Sequence, residues 1–220
     1  MEAGKINAAG METAFIPGCT VSESIFSQVG AQAVCFSLTA QTDISAESYG
    51  APKIVMVLQG ELTVYTEDAS WRLRCGEGIR LPVDAPVGMR NEQNENCRYV
   101  EIGFQEVFTM NQMITPGKVW MFKDLLPYQQ GRIVNMDIVH EPQMKFVLMS
   151  FAAGTGLTEH AAPGEALLFA LDGEGIIGYE GQEYTVKAGE MFKFAKNGRH
   201  YVKADSNFKM ALLVSLMKEH

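Results

Sequence analysis

The stretch LTEHAAPGEALLFALDGEG, residues 157–175, places a histidine, His160, just ahead of a strand-like apolar run that ends in a glycine turn. A second histidine, His200, stands downstream in KNGRHYV. Imidazole can ligate a divalent metal, move a proton near neutral pH, or hydrogen-bond a ligand. A metal site built on such a strand needs a second ligand two residues on, because side chains alternate between faces, and a carboxylate a few residues further. Those places hold Ala162 and Ala166. Three protein ligands are the usual minimum for a catalytic zinc or non-haem iron site, and here two remain. Three readings follow. One is a weak or rescued site for one divalent ion (Zn, Fe, Ni or Mn). Another is a pair of polar groups in a small-molecule pocket. The last is a pair of core histidines with no present role.

Other candidates carry less. His140 precedes Glu141-Pro142 and reads as a surface residue, and His220 is terminal. Gly173-Glu-Gly-Ile-Ile-Gly178 satisfies GxGxxG. A dinucleotide site needs a helix to start there, whereas YEGQEYTVKAGE reads as a turn and another strand, so the glycines are expected in hairpins. There is no GxSxG elbow. Cys19, Cys35, Cys75 and Cys97 lie in the first half without a CxxC pair and read as reduced thiols. That half contains no histidine, so a Cys–His pair would have to form between halves.

Bulk properties narrow the partners. A chain of 220 residues, 47% apolar and 20% charged, is globular and long enough for two domains of about 100 residues. A formal net charge of −8 without a Lys/Arg cluster argues against nucleic acid and against anionic membrane surfaces. The first eighteen residues lack the apolar core of a signal peptide, and no apolar run is long enough to span a bilayer, so a cytoplasmic location is expected.

Strand signals dominate the elements that must position these residues. KIVMVL (53–58), ELTVY (61–65), RYVEIGF (98–104), KFVLMSF (145–151), ALLFAL (166–171), EYTV (183–186) and MALLVSLM (210–217) are separated by turn residues. VWMFKDLLPYQQG predicts one or two helical turns around Lys123–Leu126, stopped by Pro127. An internal repeat organises the rest. Gly60-Glu61 and Gly173-Glu174 are 113 residues apart, and so are Gly76-Glu77 and Gly189-Glu190. Two landmarks at one spacing predict two copies of one all-β unit, residues 1–110 and 111–220, packed as a pseudo-dimer.

These landmarks resemble the cupin superfamily of jelly-roll barrels, whose motifs read G-x5-H-x-H-x3,4-E-x6-G and G-x5-P-x-G-x2-H-x3-N. Gly154, His160 and Gly173 fit the first motif. Gly189 and His200 fit the second, with Ala195 in the proline place and Asn197 in the glycine place. The stretch EHAAPGEA is similar to that of small bacterial cupins with EH-x-A/S-P-G-D/E-A. In the first half Gly60, Gly76 and Pro82 take the structural places, while Glu47 or Ser48 and Val87 take the ligand places.

The resemblance implies a bicupin. It points His160, Ala162, Ala166, Leu168 and Ala170 into one barrel, with His200 entering from the facing strand. Phe192, Phe194 and Val202 would add apolar lining, leaving an alanine-walled cavity for a small-molecule ligand unless Met and Phe side chains fill it. Glu165 and Glu159 fall on the wrong face to replace the missing ligand. The first barrel would be lined by Glu47, Tyr49, Met56 and Val87, without metal. Function stays open between a small-molecule-binding bicupin, a metal-dependent oxygenase or isomerase, and a scaffold protein, because the fold serves all three. A homodimer is also compatible with the resemblance.

Overall fold

The structure, a computed structural model, describes residues 1–8, 14–83, 85–105, 110–161 and 163–216. The first half contributes β1 (Ile6–Ala8), β2 (Thr20–Gln28), β3 (Ala31–Leu38), β4 (Asp43–Glu47) and β5 (Lys53–Gln59). It continues with β6 (Glu61–Tyr65), β7 (Ser70–Arg74), β8 (Glu77–Arg80), β9 (Val87–Arg90) and β10 (Cys97–Phe104). The second half contributes β11 (Val119–Met121), β12 (Ile133–Glu141), β13 (Met144–Phe151), β14 (Thr155–Ala161) and β15 (Ala166–Tyr179). It ends with β16 (Gln182–Lys187), β17 (Glu190–Phe194), β18 (Arg199–Ala204) and β19 (Phe208–Ser215). The expected helix is one 3-10 turn, Phe122–Asp124, which ends before Pro127. The fold is all-β, as the strand-and-turn pattern predicts.

The 113-residue spacing reaches into the geometry. Gly60 (φ 73°) and Gly173 (φ 71°) both adopt left-handed backbone. A Cβ at either position would run into the carbonyl oxygen of Asn96 or Asn207, so both conformation and space require glycine. The Gly76 amide donates to Val57 O and the Gly189 amide to Ala170 O, each at 2.9 Å. Glu77 Oε2 accepts from the Arg74 amide and Glu190 Oε2 from the Lys187 amide, each at 2.7 Å. The halves differ where β15 runs unbroken through Gly173, whereas β5 and β6 break at Gly60. β12–β19 together with β1 form one nine-stranded sheet, whereas β2–β10 together with β11 form a six-stranded and a four-stranded sheet.

The division at residue 110 is crossed twice. β1 pairs with β17 of the second half, Ile6 opposite Phe192 and Ala8 opposite Glu190. β11 pairs with β8 of the first half, Val119 opposite Ile79 and Met121 opposite Glu77. Each partner pair is displaced from the other by the repeat spacing, so the two halves exchange their leading strands reciprocally. Each leading strand thus pairs into the sheet formed mainly by the other half of the chain.

Apolar side chains form three clusters. One fills the first half, with Leu38, Val55, Val57, Leu62, Val87 and Tyr99 among its members. A second fills the second half, with Leu168, Ile177, Phe192, Phe194 and Val202. The third lies between the halves and joins Phe26, Ile54 and Ile102 to Phe146, Leu167 and Leu213. Strand alternation explains the division: Val55 and Val57 face inward, and Ile54 and Met56 face the other half.

Candidate functional site

His160, near the end of β14, stands directly opposite His200 on β18. The register shifts between Leu157 and His160, and the matching shift in the first half lies between Ile44 and Glu47. Such a bulge re-aims the residue that follows it. The two imidazole centroids lie 4.3 Å apart, His160 exposed and His200 6% exposed. His160 Nδ1 lies 2.9 Å from Thr158 O, and His200 Nδ1 lies 2.9 Å from Gly198 O. A carbonyl oxygen only accepts, so each Nδ1 carries the proton. In the neutral rings both Nε2 atoms therefore keep a lone pair for a ligand or an ion. Burial holds the His200 imidazole below its ordinary pKa, His160 adds to the effect, and the bond to Gly198 opposes it. His200 is accordingly neutral at neutral pH.

The third and fourth ligand places do not complete this pair. Ala162 lies outside the described residues. Ala166 is buried in the apolar cluster together with Leu168, Ala170, Phe192, Phe194 and Val202. Glu159 turns outward to bind the Arg199 guanidinium. Glu165 also points away from the interior, toward Gln28 Nε2 at 3.0 Å and Lys193 Nζ at 3.2 Å. His140 is exposed and lies 3.1 Å from Asp137 Oδ2, and His220 is outside the described residues. Among the described residues no group of three or more His, Cys, Asp or Glu side chains is placed to hold a metal ion. Two imidazoles alone do not fit a firmly held divalent ion.

The alanine-walled cavity expected behind the histidines is taken up by rings. Tyr179 meets Phe192 and Phe194 edge-on, both at 5.7 Å between centroids, and Phe192 and Phe194 lie 5.0 Å apart. Phe194 lies 4.5 Å from His200, so the aromatic stack runs up to the histidine pair. The small side chains of Ala166 and Ala170 share this cluster with the aromatic rings, as expected where interiors pack to high density. The accessible chemistry therefore sits at the mouth, on His160 and the edge of His200.

The first half is different. Glu47 stands opposite Val87, the same register as His160 and His200. Glu47 is exposed, Tyr49 half-buried and Val87 buried inside. Met56 is not part of this lining: alternation along β5 turns it into the layer between the halves. Lys53, at the place equivalent to Ala166, points inward instead. Its Nζ lies 2.5 Å from Glu101 Oε1 and 3.5 Å from the Tyr49 ring centroid. The Lys53 and Glu101 side chains are only 16% and 9% exposed. Burial, then the Glu101 and Glu47 carboxylates, push the Tyr49 phenol up to about 12, so it stays protonated. Lys53 and Glu101 escaped the sequence reading. Their signal was a charge on the inward phase of two largely apolar runs, Lys53 in KIVMVL and Glu101 in RYVEIGF.

Residues 147–216 match the family described as Cupin domain. The whole chain resembles the cupin 2 conserved barrel domain protein from Leptotrichia buccalis, with 27% identity, 98% of each chain covered and a TM-score of 0.83. It also resembles the putative glyoxylate-induced protein from Pseudomonas aeruginosa, with 17% identity, 98% of this chain and 89% of that one covered, and a TM-score of 0.66. Salicylate 1,2-dioxygenase from Pseudoaminobacter salicylatoxidans, solved as adducts with gentisate, shares the fold at 10% identity, 88% and 72% coverage and a TM-score of 0.64. No curated protein matches the sequence. Residues 147–216 are thus similar to a cupin domain, and the chain has the fold of cupin structures along its length. No helix among the described residues is long and apolar enough to cross a membrane.

Proposed function

We propose that this chain is a bicupin that binds a small polar molecule at the mouth of its second barrel through His160 and His200. One observation carries the reading. Both Nδ1 atoms are committed to backbone carbonyls, which leaves an Nε2 acceptor on each of two neighbouring rings, with no third ligand beside them among the described residues. Such a pair suits a ligand that offers hydroxyl or amine protons. In the first barrel Tyr49, Lys53 and Glu101 form a second polar cluster without metal ligands. The matched turns and the exchanged strands support the two-barrel organisation, with the layer between the halves as its pseudo-dimer interface.

A second reading is a metal-dependent enzyme of the oxygenase or isomerase type. It is favoured by the Nδ1–carbonyl bonds, since metal-ligating histidines usually tie down the other ring nitrogen in this way. An ion bound there would polarise a substrate oxygen or activate water, with His160 and His200 as its protein ligands. Elemental analysis of untagged protein, beside His160→Ala/His200→Ala, separates the two. The proposal expects well under one zinc, iron, nickel or manganese per chain, even after incubation with each ion. About one ion per chain, lost in the double variant, would overturn it in favour of the enzyme.

A further inference from the structure

Away from both barrel mouths, a cavity of about 260 Å³ lies between the halves. Matched residues from each half form opposite walls: Met56 and Phe169, Leu58 and Leu171, Gly76 and Gly189 are each 113 residues apart. The walls are not identical. Cys75 on one side faces the place of Ala188 on the other, and Met121 and Lys123, from the segment joining the halves, close one side. An occupant would therefore meet two different ends.

We propose that this cavity binds a small aromatic molecule of one or two rings. A dry apolar cavity of about 150 Å³ is enough to take benzene, so the space here is of the right order. Its lining contains the thioethers of Met56, Met121 and Met191, the Cys75 thiol and the Phe169 ring. Thioether sulfur packs favourably against aromatic rings, and methionine adapts its shape to them. Polar groups are confined to Lys123, Glu190 and the Cys75 thiol, which donates to Leu58 O at 3.1 Å. Glu190 is occupied with the Lys187 amide. The Lys123 side chain is 44% exposed and its ammonium pairs with Asp172 at 3.8 Å, a long contact that leaves other N–H donors for a hydroxyl or carboxyl substituent on the ring. This site is separate from the histidine pair and does not depend on what binds there.

Cys75 makes the proposal measurable. Cys19 is the other exposed thiol, while Cys35 and Cys97 are buried. In full-length protein carrying Cys19→Ser, indole and 2-naphthol are titrated by calorimetry, and Cys75 alkylation by N-ethylmaleimide is timed with and without them. Burial raises the Cys75 pKa, so the alkylation is run at mildly alkaline pH. The expected result is one saturable site per chain with a Kd below about 1 mM, and alkylation slowed at least about tenfold at saturation. Ala188→Trp, at an exposed position on the wall, is expected to weaken binding at least about tenfold. Absence of saturable binding overturns the proposal. So does binding that leaves alkylation unchanged, because the probe then sits elsewhere. The protection measurement needs no change to the wall and stands even if the tryptophan variant fails to fold.

Discussion

The two halves take one backbone in opposite chemical directions. In the first, the places equivalent to a cupin metal site hold Glu47, Tyr49, Lys53 and Val87, and charge is buried inside as the Lys53–Glu101 pair. In the second they hold His160, Ala162, Ala166 and His200; aromatic rings fill the interior and polarity remains at the rim. Leu212 takes the register position of Glu101, since Val55 pairs with Glu101 and Leu168 with Leu212. The contrast teaches that the scaffold does not dictate what fills it. Strand register and turn glycines are held in common, while inward residues vary as compensated sets.

The largest test converts one half toward the other. Glu101→Leu leaves the Lys53 ammonium buried without its carboxylate and is expected to cost about 3–5 kcal/mol in urea unfolding. Lys53→Ala/Glu101→Leu installs the second half's residues and should recover most of that loss. A double variant as unstable as the single one would break the idea that these positions vary as a set.

Next in size are the shared turns. Gly60→Ala and Gly173→Ala should each lose about 2–3 kcal/mol, from left-handed backbone and from collision with the Asn96 or Asn207 carbonyl. Thermal melts should give nearly equal losses, and a large inequality would show that the turns are matched in shape but not in load. Within the histidine pair, His200→Ala empties a buried position against Phe194 and leaves Gly198 O without its donor, a loss of about 2 kcal/mol. His160→Ala, at an exposed position, should stay within about 0.5 kcal/mol.

The smallest effect concerns pH. His200 has a folded pKa below its unfolded value, so the unfolded chain binds the proton first as pH falls. Stability from this group is full above the unfolded pKa, near 6.5, and is lost as pH falls through the lower folded value. The first half holds no histidine, so this component belongs to the second half alone. Comparing unfolding midpoints at pH 7.5 and pH 5.5 should show a drop that His200→Gln reduces.

Much of this was legible in the chain. The strand runs and the 113-residue spacing announced an all-β fold with matched turns, because glycine at a left-handed position leaves a mark no other residue replaces. The outward placement of Glu159 and Glu165 followed from alternation alone. Two things were not legible. Tyr179, Phe192 and Phe194 pack among Ala166 and Ala170 through contacts that sequence distance hides, so a filled interior read as a roomy one. Met56 was assigned to the wrong face of its strand, although its neighbours Val55 and Val57 fix the phase. The exchange of leading strands was hidden for another reason: a three-residue strand such as Ile6–Ala8 carries too little pattern to name a partner.

That exchange has a consequence in time. On the ribosome Ile6 emerges long before its partner Phe192. At roughly 5–20 residues per second, the wait is on the order of 10–40 s. The first half likewise stays open at β8 until Val119–Met121 has been made. Neither unit can be finished before the other is under way, so the nascent chain must hold exposed strand edges through most of its synthesis. Once both are closed, a protease cut between them would nick the chain without freeing either piece, because each remains stitched into the other's sheet.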